Sequence, residues 1–204
     1  MSTMGKEASA EQVAIEFVRM VTEPFITHPK DLTITAVALR SESTVIARPH
    51  DDDYGQLVGK NSSMLRALCV LVREIGFRTG RRLKLTVLNP SSPARPKLTP
   101  FERRADWTGT ELESLARRAC EIVLPPPVAV RCEDLNDDMS VIRVHSSEPG
   151  PPNVVNWIEE ALGVVFFAIG KGMGRSSVLM ELTVDPATGK DESRDGRFQT
   201  SRAG

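Results

Sequence analysis

Apolar residues recur along this chain in two spacings, and both spacings arrive twice in the same order. Val13, Ile15, Phe17, Val18 and Val21 fall at the interval that places them on one face of a helix, and Leu112, Leu115, Ala116, Ala119 and Ile122 repeat that pattern in the second half. Two short alternating runs follow each, predicting strands at 32–39 and 44–48, then at 128–132 and 140–145. A longer helical pattern spans 63–79 and again 154–170, and a last strand closes each half. Phrases repeat as well as periods: Thr44-Val-Ile-Ala-Arg-Pro-His50 returns as Ser140-Val-Ile-Arg-Val-His145, and Leu83-Lys-Leu-Thr-Val87 as Leu179-Met-Glu-Leu-Thr-Val184. The expected fold class is therefore α+β, with two domains that each place helices on one face of a three-stranded sheet. Only the first copy carries an extra helical turn, at 54–58.

The predicted boundaries are a first domain at 1–90, a proline-rich linker at 91–107, a second domain at 108–186 and a disordered tail at 187–204. Four prolines between Asn89 and Pro100 make that stretch stiff and extended, and the tail has almost nothing apolar to bury.

With 204 residues and 40% hydrophobic content the chain is long enough to bury a core. Its three cysteines, Cys69, Cys120 and Cys132, are odd in number and widely spaced, which suits neither a disulfide framework nor a zinc site; reduced thiols in the cytoplasm are expected. No stretch reads as a signal peptide, and the longest apolar run, 162–169, is too short to span a bilayer, so no membrane partner is expected. The net charge of −1 is unlike that of a protein that coats nucleic acid. Locally the balance differs: from Lys60 to Lys97 nine basic residues face a single acid, Glu74, predicting a basic surface.

At one end of that basic run, Tyr54-Gly-Gln-Leu-Val-Gly-Lys-Asn-Ser-Ser63 leads a glycine turn straight into a helix. The unpaired N–H groups of a helix start, a glycine without a side chain at Gly59 and the charge of Lys60 together suit a phosphate. The segment is not a nucleotide P-loop. Its glycine spacer is one residue short, Asn61 stands where a magnesium-binding hydroxyl is required, and an acidic turn, Asp51-Asp-Asp53, precedes it in place of a buried strand.

Taken together, the helix-strand-strand-helix-helix-strand order, the pattern Asp53-Tyr-Gly-Gln-Leu-Val-Gly-Lys60 and the helix directly after the turn resemble a type II KH domain. The resemblance covers about residues 10–90 and is specifically to the small bacterial single-KH RNA-binding proteins of the KhpA type. It implies that single-stranded RNA is held with its sugar-phosphate backbone against a GXXG loop, here Gly59-Lys60-Asn61-Ser62. Val58, Ser63 and Arg66 complete the implied RNA-binding set, and Met64 and Leu65 flank the loop. A second KH-type protein is a further implied partner. The second loop glycine is replaced by Ser62, whose Cβ hinders close approach and whose hydroxyl is expected to cap the helix. The second half, read as a degenerate KH-like domain, has Ser146-Ser-Glu-Pro-Gly-Pro-Pro-Asn153 at the loop position, without lysine and with three prolines lacking an N–H. Its following helix is apolar nearly all round, which predicts burial against the first domain or another subunit.

Other motifs carry less. His50 and His145 take matching places near strand ends, and His50 precedes three aspartates, but one histidine with consecutive aspartates offers no metal-ligand spacing; no metal or cofactor is expected. Gly170-Lys-Gly-Met-Gly174 follows a helix, which makes it a C-cap and connector in place of a phosphate loop. Trp107 and Trp157 read as core or interface residues. No nucleophile-base set or isolated carboxylate pair stands out, so the chain is expected not to be an enzyme. Two readings stay open: an RNA-binding protein with one working loop, and a KH-fold protein-interaction scaffold that has lost nucleic-acid binding.

Overall fold

The helix that opens each half starts on a hydroxyl. Ser9 accepts the N–H of Gln12, and Thr108 makes a reciprocal capping box with Glu111, whose carboxylate takes the Thr108 N–H at 2.6 Å. In the computed structural model, which describes residues 8–38, 40, 42–89, 108–147 and 152–184, the elements run α1 (Ala10–Thr22), β1 (Thr33–Ala38), β2 (Glu42–Arg48), α2 (Tyr54–Val58), α3 (Ser63–Arg78), β3 (Arg82–Val87), α4 (Gly109–Val123), β4 (Val128–Asn136), β5 (Met139–Ser146), α5 (Pro152–Gly172) and β6 (Ser177–Val184). The chain is α+β, with two three-stranded sheets ordered β1-β2-β3 and β4-β5-β6. In each, the first two strands are antiparallel, and the third joins the central strand in parallel after a helical crossover. The linker and tail predicted at 91–107 and 187–204 lie outside the described residues.

The two halves reuse the same joints. Arg19 of α1 donates to the Leu32 carbonyl at 3.5 Å, and Arg117 of α4 donates to the Val130 carbonyl at 3.3 Å, tying each opening helix to its first strand. Each crossover helix ends in the same way. The Gly80 and Arg81 N–H groups return to Phe77 and Gly76, as those of Gly174 and Arg175 return to Lys171 and Gly170. Gly80 and Gly174 have φ of +68° and +80°, the left-handed C′ position of a Schellman cap. The predicted C-cap at Gly170–Gly174 is thus what the backbone forms.

The phrase match between the halves is one residue out of step with this equivalence. It pairs Val45 with Val141, yet strand register sets Ser43, Val45 and Ala47 against β3 as Ser140, Ile142 and Val144 stand against β6. Those six residues are all buried, and Ile142 and Val144 join the shared core cluster, which the buried Val141 does not. A one-residue slip exchanges the two faces of a strand, so pairing register and not letter identity fixes the correspondence. His50 and His145 are accordingly not equivalent: His50 follows β2, while His145 lies within β5.

The helices of the two halves pack on each other. α3 lies on α5 and α1 on α4, with the crosswise contacts α3 to α4 and α1 to α5 also present. Counting back from Gly76 and Gly170, the four α3 residues that line the α3–α5 groove, Ser63, Arg66, Ala67 and Val70, face their own equivalents Trp157, Glu160, Ala161 and Val164. Like elements meeting like elements is the arrangement of an isologous dimer, here made within one chain. Ala67 and Ala161 keep the crossing close. At one end of this contact Arg78 donates to the carbonyls of Glu121, Ile122 and Leu124 and so caps α4; at the other, Gly172 lies against the backbone of Pro24 and Phe25. Phe17, Leu68, Leu71, Ile75, Leu112, Leu162, Phe166 and Ile169 are fully buried in one core that runs through both halves, each stabilising by about 2 kcal/mol on the usual area scale.

Candidate nucleic-acid interface

The glycine turn begins where α2 stops. The Gly59 N–H closes α2 on the Gly55 carbonyl, and Gly59 turns the chain at φ +74°. A Cβ there would lie 2.8 Å from both the backbone N and the Cβ of Met64, so this position is reserved for glycine by backbone angle and by space. Lys60 to Ser62 form a short 3-10 turn, with the Ser62 N–H on the Gly59 carbonyl and the Ser63 N–H on that of Lys60. Asn61 and Ser62 both adopt the left-handed conformation, at φ +52° and +60°.

Ser62 corrects one expectation: its side chain makes no capping hydrogen bond to α3. An N-cap needs extended backbone to aim its oxygen at the helix amides, and a left-handed Ser62 has lost that geometry. Lys60 and Asn61 are exposed, Val58, Gly59, Ser62 and Ser63 are half-buried, and Arg66 is exposed one turn along α3. Met64 is buried and Leu65 half-buried beneath the turn. All seven residues of the predicted set therefore stand on one junction between α2 and α3.

Several cations of the basic run have partners within the chain. Arg81 binds Glu11 at 3.1 Å, Lys84 binds Glu42 at 2.6 Å, Arg78 is engaged on α4, and Arg73 lies 5.7 Å over the ring of Trp157. Lys60 and Arg66 form no ion pair among the described residues, and both stand at the turn.

Among the described residues the second half has no matching junction. Only residues 147–151 separate β5 from α5, against residues 49–62 between β2 and α3, so there is no room for a counterpart of α2 and its turn. α5 spends its apolar face on the packing with α3, although Trp157 and Phe167 remain about half exposed. Trp157 belongs to the contact between the halves.

Two features near the turn are absent from the sequence reading. Asp53 is fully buried, and its carboxylate accepts the N–H groups of Thr27 at 2.7 Å and His28 at 2.8 Å, fastening the connection after α1 to the base of α2. His28 lies against His50, with ring centroids 4.1 Å apart. No local spacing announces either, because the partners are more than twenty residues apart in sequence.

No family model matches the chain. Three curated proteins are similar to it, each named "RNA-binding protein KhpA": those of Listeria monocytogenes serovar 1/2a, Listeria innocua serovar 6a and Listeria monocytogenes serotype 4b. Each is 23% identical over 73 residues, which cover 36% of this chain and 96% of the relative. The likeness thus extends over about a third of this chain and nearly all of theirs. No helix among the described residues is long and apolar enough to cross a membrane.

Proposed function

We propose that this chain is a non-catalytic RNA-binding protein made of two type II KH-like units in tandem, 1–90 and 108–186, of which only the first engages RNA. The sugar-phosphate backbone of a single strand lies against Gly59-Lys60-Asn61-Ser62, with Val58, Ser63 and Arg66 at the rim. The observation that carries this reading is the junction itself: a bare glycine, a helix start that no side chain caps, and two cations free of ion pairs among the described residues. The similarity to proteins named for RNA binding supports it. The second unit supplies packing for α3, and cytoplasmic bacterial RNA is the natural target.

The test is reversal of charge at the turn. Lys60→Asp combined with Asn61→Asp should weaken binding of short single-stranded RNA by about tenfold or more, while Tm moves by no more than about 2 °C, because both side chains are exposed. Unchanged affinity removes the site.

The scaffold reading is favoured by a different observation, the pairing of Arg73, Arg78, Arg81 and Lys84 with partners within the chain. It requires that the unaltered chain show no salt-dependent RNA binding at all.

A further inference from the structure

The chain has three histidines, and the fold brings two of them together from separate segments. His28 comes from the connection after α1; His50 and Asp52 come from the turn that leads into α2. The two imidazoles lie with centroids 4.1 Å apart and planes inclined by 33°. One ligand atom from each of His28, His50 and Asp52 lies within 4.8 Å of the other two. His28 Nδ1 is buried and has no hydrogen-bond partner among the described residues, although Asp53 Oδ2 stands 3.4 Å away.

A buried ring nitrogen without a partner is unfavourable, and two imidazoles facing one another beside two carboxylates gain little as packing alone. Both conditions are relieved by a cation that accepts imidazole nitrogen. We propose that His28, His50 and Asp52 form a binding site for a divalent first-row transition metal, with Zn2+ the best suited. Two imidazoles, one carboxylate and a water make an ordinary four-coordinate zinc shell. Calcium and magnesium, which take oxygen ligands, do not suit it. Asp53 Oδ2, 3.4 Å from His28 Nδ1 and immobilised by the Thr27 and His28 amides, adds negative charge beside the site.

Metal bonds of about 2.0–2.2 Å require the ligand atoms to draw closer than their present separation. The necessary rotations belong to His50 and Asp52, whose side chains are 39% and 61% exposed, and they include loss of the long 3.3 Å hydrogen bond from the Asp52 N–H to His50 Nδ1 if His50 ligates through that atom. The metal would then tie the connection after α1 to the base of α2, the helix that delivers Gly59.

The test uses the full chain, dialysed against EDTA and then against chelator-free buffer. Calorimetry with ZnCl2 should show one ion bound per chain, with a rise in Tm that EDTA reverses. Co2+ in place of Zn2+ should give visible bands of a four-coordinate nitrogen and oxygen site, without the near-ultraviolet band of a cysteine ligand. His50→Ala and Asp52→Asn should each weaken Zn2+ binding by about tenfold or more, and His145→Ala, which alters the remaining histidine, should leave it unchanged. Absence of Zn2+ binding by the unaltered chain, full binding by both His50→Ala and Asp52→Asn, or a cysteine band with Co2+ would each overturn the site. None of these outcomes bears on RNA binding at the glycine turn.

Discussion

Gly172, at the end of α5, touches the backbone of Phe25 in the other half of the chain: a Cβ on Gly172 would lie 3.1 Å from Phe25 Cα and 2.5 Å from the Pro24 carbonyl oxygen. Backbone cannot retreat as a flexible side chain can. Gly172→Ala should therefore destabilise the protein by about 1–3 kcal/mol, measured by urea unfolding. Gly163 lies in the interior of the same helix with nothing within 4 Å of its notional Cβ, and Gly163→Ala should stabilise by about 0.5–1 kcal/mol. If both variants behave alike, the close contact between the halves is not what constrains Gly172.

Ser62 holds a left-handed backbone without the compensation of a capping bond. The conformation costs a residue with a Cβ about 1–2 kcal/mol, of which the extra freedom of unfolded glycine returns part. Ser62→Gly should thus stabilise by about 0.5–1 kcal/mol and leave RNA binding as tight or tighter. The measurement is the urea midpoint of the variant beside that of the parent; a lower midpoint would mean that the hydroxyl matters to folding.

Glu11 gathers the Ser43 hydroxyl at 2.6 Å and Arg81 Nε at 3.1 Å, joining α1 to β2 and to the turn before β3. The Ser43 hydrogen bond above all, helped by the Glu11 backbone N–H, holds its carboxyl down at about 2 against an ordinary 4.5. Because the folded value lies below the unfolded one, the unfolded chain takes the proton first as pH falls. The stabilisation is complete above about 4.5 and disappears between there and about 2. Glu11→Gln should lower stability by about 1 kcal/mol at pH 7 and should converge on the parent near pH 2, as followed by urea unfolding across that range.

The three thiols should be slow to react. Burial pushes Cys120 up to about 12, with the Glu121 charge adding, and burial followed by the Asp134 charge pushes Cys132 to about 11; burial raises Cys69 too. The nucleophile is the thiolate. Labelling by an aromatic disulfide reagent at pH 8 should therefore be at least about tenfold slower in the native protein than in urea, and one fast native thiol would contradict the packing described for it.

The second half rebuilds the Glu11 contact from a different acid. Ser140 donates to Asp134 at 2.7 Å and Arg175 pairs with it at 2.9 Å, as Ser43 and Arg81 do with Glu11. Asp134 belongs to β4 and not to the helix, and it reaches to within 2.8 Å of where a side chain on Gly109 of α4 would begin. A comparison of letters misses this equivalence, because the acid has moved to another element while its two partners have stayed.

What the sequence determined by itself is everything that depends on neighbours along the chain. The period of Phe17, Val18 and Val21 places a helix, the alternation at Val45 and Ala47 places a strand, Gly170 to Gly174 end a helix, and Gly59 with Lys60 marks the turn, since each requires only a few consecutive residues and their backbone preferences. The tertiary structure decided what depends on distant partners. It chose the face of β5 that joins the shared core, gave the surface cations Arg73, Arg78 and Arg81 partners within the chain, buried Asp53 under the Thr27 and His28 amides, and set His28 against His50. A charge or a ring carries no local sign of the partner it will meet, because that partner is fixed by how whole helices and sheets pack, and packing is settled by the sum of buried apolar area and not by any one residue.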